Sequence, residues 1–275
     1  MPTIDYMGFT TKLAMDAGKI VERKFHTRIK VTEKKRQDLV TNVDKEVEQF
    51  IIKNIKKHFP DHEILAEESG ALKRTSEYRW IIDPIDGTTN FVHGLHFLAV
   101  SIALEYKGEV IVAVIYNPIM KELFTAAKGK GARLNGKKIY VSKTKGLKLS
   151  LLATGFHPQY RDHNLEHFKK FTALTRGIRR CGAATLDLCY TACGIFDGYW
   201  EYGLLPWDVA AGGLIVKEAG GKVTNTDGSK FDFDKKAILA TNGKIHSQMR
   251  ETIDSSGVRH MSDTVKQCYT QRVIN

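Results

Sequence analysis

The stretch WIIDPIDGTTN, residues 80–90, constrains the fold more than any other. Trp80, Ile81 and Ile82 form a short apolar run that predicts a buried strand. Proline has no amide to give a sheet ladder, so Pro84 places the strand's end at Asp83. Asp86 follows three residues later, beside Gly87, in turn chemistry. A tight turn at that spacing brings two carboxylates to one point. Like charges there repel unless a proton or a cation holds them. Hard divalent cations such as Mg²⁺ choose carboxylate and carbonyl oxygens. The amides of Gly87, Thr88 and Thr89 could then receive an anion. The plainer alternative is that Asp83 and Asp86 cap a turn.

Composition narrows the class. With 275 residues and 42% hydrophobic content, the chain can build one large or two small domains. No run approaches the roughly 18 apolar residues of a membrane span. The opening MPTIDYMGFT has neither a basic n-region nor an apolar h-region. The expectation is a cytoplasmic protein with no membrane partner. Cys181, Cys189, Cys193 and Cys268 form no CxxC pair, which argues against a zinc or redox motif. Cys189 and Cys193 share one helical stripe with Leu186 and Tyr190, as buried small residues do. Net charge is +11, and residues 128–148 hold eight Lys or Arg and no acid. Such a segment attracts nucleic acid, a membrane surface or an anionic substrate, or it is the solvated rim of a hairpin. Tyr140 is its only aromatic, so a stacking platform for bases is missing and the rim is favoured.

Periodicity places the elements. Leu13, Ala17, Ile20 and Val21 share one face of a helix over residues 4–25. Thr41 or Asn42 caps a second helix with the stripe Val43, Val47, Phe50, Ile51 and Ile55, ended by Pro60. Asp44 lies in its first turn, where a negative charge suits the helix dipole. Ile64–Ala66 is a short strand with Glu67 and Glu68 at its end. Residues 98–117 predict a hairpin turning at Lys107-Gly108, and a second hairpin pairs ELFTAAKG with KKIYVS around Asn135-Gly136. These features argue against a simple doubly wound parallel sheet.

Residues 150–156 follow as a strand, and Leu165, Phe168, Phe171 and Leu174 mark a helix. A helix at 185–195, a strand at 197–202 and a helix opened by Trp207 and Asp208 come next. Ala210, Ala211, Gly212 and Gly213 leave that helix nearly without side chains, so something packs or binds close to it. Gly220 and Gly221 end it. Strands at 222–225 and 237–241 and a helix near 243–254 complete the pattern, and the last fifteen or so residues are weakly patterned.

Five acids stand at element ends: Asp44, Glu67, Asp83, Asp86 and Asp208. The segments DLVTNVD at 38–44, AEES at 66–69, WIIDPIDGTTNF at 80–91 and PWDVAAG at 206–212 carry them in an order and spacing that resembles the inositol monophosphatase family. TGF at 154–156, RRCGAATLDL at 179–188 and EAGG at 218–221 look most like its bacterial extragenic-suppressor type. The resemblance covers nearly the whole chain. It implies one domain over residues 1–275, with approximate halves 1–148 and 149–275. It implies a layered αβαβα sandwich of the sugar phosphatase type, α+β or α/β in class, with an antiparallel sheet in the first half and a mixed sheet in the second. It also implies a homodimer that hydrolyses a phosphate monoester with two or three Mg²⁺ and is inhibited by Li⁺.

Carried over by motif, Glu67, Asp83 and the Ile85 carbonyl hold one metal, Asp83, Asp86 and Asp208 a second, and Glu67 helps with a third. Thr88, oriented by Asp44, positions and activates the water, and the amides of Gly87 and Thr88 hold the phosphate. Asp86, Gly182, Ala183, Ala184, Glu201 and Asp208 line the alcohol side, although Glu201 read alone is an exposed strand acid. The family often places a lysine before DLVT; here Lys34, Lys35 and Arg36 compete for that place. The expected reaction is hydrolysis of myo-inositol 1-phosphate. Fructose-1,6-bisphosphatase, 3′-phosphoadenosine-5′-phosphate phosphatase and histidinol-phosphatase share the motifs and stay open. So does a role of another class, contact with RNA or RNA polymerase in transcription antitermination, which the +11 charge would allow.

Overall fold

The first apolar stripe becomes α1, Tyr6–Lys24, capped by Asp5, whose carboxylate accepts from the Gly8 amide. The structure is a computed structural model and describes residues 5–27, 30–35, 38–71 and 76–255. An antiparallel pair, β1 Val31–Lys35 and β2 Asp38–Thr41, leads into α2, Asn42–His58. Thr41 caps α2: its hydroxyl accepts from the Val43 and Asp44 amides, and its own amide donates to the Asp44 carboxylate at 2.8 Å.

Next come β3 Glu63–Ala66, β4 Gly70–Ala71, β5 Tyr78–Asp86, the short α3 Thr88–His93, β6 Ala99–Tyr106, β7 Glu109–Asn117, β8 Glu122–Ala127, β9 Ala132–Leu134 and β10 Lys137–Lys138. The strands form an eight-stranded sheet in the order β10-β9-β8-β7-β6-β5-β3-β4. It is antiparallel except for the parallel β3–β5 pair, an exception to the expected wholly antiparallel sheet. The chain continues with β11 Leu151–Thr154, α4 Arg161–Leu174, β12 Gly177–Arg179, α5 Ala184–Ala192, β13 Gly198–Tyr202, α6 Pro206–Glu218, β14 Lys222–Thr224, β15 Ala237–Thr241 and α7 His246–Asp254. Its five strands lie in the order β12-β11-β13-β15-β14, with β11 parallel to both neighbours and β15 antiparallel to both.

Strand alternation sorts the core into layers. Trp80, Ile82, Ile102, Leu104, Val112 and Val114 face α1 and α2. On the opposite face Ile81, Ala103, Ala113, Ile115 and Phe124 pack with Leu186, Leu188 and Ile215 of α5 and α6, and with Ala153, Tyr199 and Ile238 of the second sheet. The far side of that sheet, Leu152, Trp200 and Leu239, meets Phe171 of α4 and Met249 and Ile253 of α7. The result is the five-layer αβαβα order.

Local expectations differ from this at three places. First, β5 runs through Pro84 to Asp86 instead of stopping at Asp83. The register against β6 shifts from Asp83↔Ser101 to Asp86↔Ala99, so one extra residue bulges where Pro84 has no amide to contribute. Second, Asn135-Gly136 joins β9 to β10, and β8 pairs with β9 instead of with KKIYVS. Lys107-Gly108 does turn β6 into β7, both residues having positive φ (51° and 86°), as a type I′ turn requires. Third, α4 buries Asn164, His167 and Phe171 while Leu165 and Leu174 stay exposed, because its inner face meets polar groups of β13: the Tyr202 amide donates to the Asn164 carboxamide. The small residues of α6 serve packing, one of the two expected reasons for them: a Cβ on Gly212 would meet Leu188, and one on Gly213 the Phe231 ring. Cys189 is buried and Cys181 and Cys193 are half-buried, all three as free thiols; Cys268 and the weakly patterned C-terminal residues lie outside the described residues.

Candidate active site

The bulge in β5 is where the site begins. In a regular strand, residues three apart face opposite sides of the sheet. The extra residue resets that alternation, and the Asp86 charge then acts on Asp83. Asp83 accepts from the Ile85 amide at 3.0 Å. Gly87 follows with φ of 89°, a left-handed turn that glycine adopts freely, and opens α3. Thr88 therefore points back: its hydroxyl lies 3.0 Å from Asp44 Oδ1 and 3.1 Å from the Ile85 carbonyl. Asp44 uses Oδ2 for the α2 cap and Oδ1 for Thr88, so capping and orientation coexist in one side chain.

Asp83 is buried, and Asp86 and Asp208 are half-buried. Burial, followed by the charges of Glu67, Asp86, Asp208 and Asp44, holds the Asp83 proton well above the ordinary carboxylate range. Burial pushes Asp86 up to about 6, against hydrogen bonds from the Thr185 amide (2.7 Å) and hydroxyl (2.5 Å). Asp208, in the first turn of α6, is raised by burial and then by Asp86, while the Leu205 amide donates to it at 2.7 Å. Glu67 follows β3, and its charge reaches Asp83 and Asp208. Among the described residues no three His, Cys, Asp or Glu side chains close on one point as a finished ligand shell. Each aspartate is drawn instead onto its own donor. The donor chemistry fits a hard divalent cation: oxygens only, crowded and desolvated, so that each disfavours its neighbour's charge.

A cavity of about 180 Å³ opens beside these acids, lined by Asp86, Gly182, Ala183, Ala184, Glu201 and Asp208, the expected alcohol-side residues. Glu201 is buried, 7% exposed, which corrects its reading as an exposed strand acid. Tyr199 donates to it at 2.6 Å, and burial pushes it up to about 7, opposed by that bond and by the Arg180 charge. Gly155 belongs here too, because a Cβ on it would overlap the Glu201 carboxylate.

Several positioning residues escaped sequence reasoning. Thr185 holds Asp86. Asn90 donates to the carbonyls of Phe97 (2.6 Å) and Cys181 (2.9 Å), tying α3 to the 181–184 segment. Glu48, 2% exposed, accepts from the Glu68 amide at 2.8 Å and from the Ser69 hydroxyl, fixing the loop that carries Glu67. A charged residue beside the apolar stripe of α2 was the available signal for Glu48. The side chains of Lys34 and Lys35, and all of Arg36, lie outside the described residues. A larger cavity of about 660 Å³ lies elsewhere, between Arg79, Lys128, Lys217 and Phe231. Arg79 pairs there with Glu105 and Lys128 with Glu109, so its chemistry is largely satisfied internally.

Five layers with several carboxylates beside a small polar cavity define a layered α+β protein with an acid-lined site. The model of the inositol monophosphatase family matches residues 5–257, and the chain belongs to that family. It is 42% identical over 259 residues to "Nus factor SuhB" of Pseudomonas aeruginosa, across 90% of this chain and 95% of that protein. It is 49% identical over 220 residues to "Inositol-1-monophosphatase" of Synechocystis, across 78% of this chain and 77% of that protein. The crystal structure of extragenic suppressor protein suhB from Bartonella henselae superposes with a TM-score of 0.86 at 41% identity, covering 90% of this chain and 97% of that one. Family and relatives support a phosphatase acting on a phosphorylated substrate. No helix among the described residues is long and apolar enough to cross a membrane.

Proposed function

We propose that the protein hydrolyses a small polyol phosphate, myo-inositol 1-phosphate above others, with Mg²⁺ as cofactor. The observation that carries this reading is the group Asp83, Asp86 and Asp208, one buried and two half-buried, each with its carboxyl raised by burial and none paired with Lys or Arg among the described residues, beside a cavity sized for a small alcohol. Glu67, Asp83 and the Ile85 carbonyl would hold one ion, Asp83, Asp86 and Asp208 a second, with Glu67 assisting a third. Bound Mg²⁺ supplies the positive charge that offsets the acids and stabilises the attacking and leaving oxygens.

The chain's own residues do the rest. Asp44 fixes the Thr88 hydroxyl, which orients a water toward phosphorus and directs that water's proton. The Gly87 and Thr88 amides receive the phosphate. Glu201, with Asp86 and Asp208, accepts from hydroxyls of the alcohol half, and the glycine and alanines at 182–184 leave room for its ring. Hydrolysis of phosphate monoesters is among the slowest uncatalysed reactions, so fixed orientation and charge stabilisation have a large barrier to lower.

The test is phosphate release from myo-inositol 1-phosphate, fructose 1,6-bisphosphate, 3′-phosphoadenosine 5′-phosphate and histidinol phosphate, with Mg²⁺ or with EDTA. The expected result is fastest turnover of the inositol ester, abolished by EDTA and restored by Mg²⁺. Full activity in excess EDTA overturns the metal role, and a better substrate elsewhere in the panel overturns the specificity. A cytoplasmic homodimer belongs to the same proposal, and sedimentation measures its stoichiometry.

A second reading coexists with the first. Relatives bear the name Nus factor, and net charge of +11 suits contact with RNA or RNA polymerase. Salt-dependent RNA binding that survives Asp83→Asn supports it, and its absence at low salt sinks it.

A further inference from the structure

One acid of the alcohol pocket has no part in the reaction above. Asp187 lies in the first turn of α5, its amide donating to the Ala183 carbonyl at 3.0 Å, and it lines the same cavity as Glu201, Asp86 and Asp208. It is 1% exposed and lines that cavity. Its Oδ1 is buried with no hydrogen-bond partner. Such an atom bears a desolvation cost that no hydrogen bond to it offsets, and it calls for a reason.

Packing does not supply the reason. The adjacent α5 positions Leu186 and Leu188 are fully buried apolar residues, and an apolar residue at 187 would avoid the cost. Burial first, and then the charges of Glu201 and Asp86, push the Asp187 carboxyl well above the ordinary carboxylate range; a hydrogen bond from the Cys181 thiol and the Arg180 charge act the other way. A carboxyl oxygen without a partner has acceptor capacity to spare, the complement of an alcohol hydroxyl that donates. Glu201 beside it, held by Tyr199, contributes acceptors.

We propose that Asp187 is a specificity-determining residue of this pocket: its carboxyl, one oxygen of which has no partner in the fold, bonds a hydroxyl of a polyol substrate held in the cavity beside Glu201. The ligand class is a phosphate ester whose alcohol half carries several hydroxyls, in preference to an aryl ester. This rests on the phosphatase reading above.

The experiment compares kcat/KM for myo-inositol 1-phosphate with that for p-nitrophenyl phosphate, whose alcohol half has no second hydroxyl. In Asp187→Leu the ratio of the two falls at least tenfold while thermal melting stays cooperative. In Asp187→Asn, which keeps a donor and an acceptor, the ratio stays within threefold of wild type. Asp187→Ala, judged by the same tenfold criterion, decides the matter if the leucine variant fails to fold. A ratio unmoved in a folded leucine or alanine variant overturns the inference alone and leaves the phosphatase reading standing. A wild-type protein that hydrolyses neither ester overturns both, and one that hydrolyses only the aryl ester overturns polyol recognition.

Discussion

Asp86→Asn separates charge from shape at the centre of the site. Burial raises the Asp86 carboxyl from 3.8 to about 6. A group whose folded pKa lies above its unfolded value stabilises fully below the unfolded value and loses that contribution as pH rises through the folded one. Between pH 4 and 6 the metal-free wild type should therefore weaken, and at pH 7 the ionised acid costs the folded state on the order of 3 kcal/mol. Asparagine carries no such charge, and its amide oxygen still accepts from the Thr185 amide and hydroxyl. Metal-free Asp86→Asn should then melt higher at pH 7, by about 6 °C for a chain of this size. The difference should vanish below pH 4.

Mg²⁺ narrows that gap. A ligand bound only by the folded state stabilises by about 2.7 kcal/mol at a hundred times its Kd. Wild type should gain this in full and the variant less, with turnover down at least a hundredfold. The assay is thermal melting from pH 4 to 7, with and without Mg²⁺, alongside phosphate release. Near wild-type turnover, or an unchanged Mg²⁺ shift, refutes Asp86 as a ligand. A metal-free variant no more stable than wild type at pH 7 refutes the burial argument.

Gly155→Ala should lower kcat/KM for myo-inositol 1-phosphate at least tenfold, because the added Cβ displaces the Glu201 carboxylate; unchanged kinetics in a folded variant counts against Glu201 as a substrate group. Glu48→Gln weakens two bonds to a charged acceptor and should cost about 1–2 kcal/mol in a urea melt while raising the Mg²⁺ needed for half-maximal rate, and a metal requirement that stays put would separate the Glu67 loop from the ion site. Li⁺ should inhibit, as the family resemblance implies, and insensitivity places the protein outside that branch. Neutralising the exposed Lys137 and Lys138 should change turnover less than tenfold, and a larger loss would show that the basic rim helps capture substrate.

The sequence made helices most legible, because their stripes and caps are local: Thr41, Pro60 and Gly220 mark ends that the structure keeps. The antiparallel hairpin at Lys107-Gly108 was legible for the same reason, since two positive-φ residues suffice to specify it. What was not legible depends on partners distant in the chain. Pro84 stops a strand by local rule, yet the bulge in β5 excuses its missing amide, and no pattern within β5 announces that its register against β6 will shift. Leu165 and Leu174 suit a buried stripe, but the surface waiting for α4 has polar groups that select Asn164 and His167. Asp83 and Asp86 could be named as site acids from their turn. That Thr185, 99 residues away, holds Asp86 could not.

The alternatives of capping acid and site acid dissolve in the fold. Asp44, Asp187 and Asp208 each lie in the first turn of a helix, α2, α5 and α6, where the helix dipole favours negative charge by about 0.3–1 kcal/mol. Asp44 spends Oδ2 on its cap and Oδ1 on Thr88, while Asp208 takes the Leu205 amide with Oδ2 alone. Helix starts thus deliver acids to one place and lend each some positive potential, a small offset against the burial that raises all three. Asp86 comes from a strand and lacks that support, and it is the acid bonded across the layers to α5. Asn90 holding the Cys181 carbonyl and Gly87 packed against Ala183 close the same seam. The crowded charge therefore sits on a junction fixed by neutral hydrogen bonds and close packing, so the fold does not need the acids' charges to hold its two sheets together.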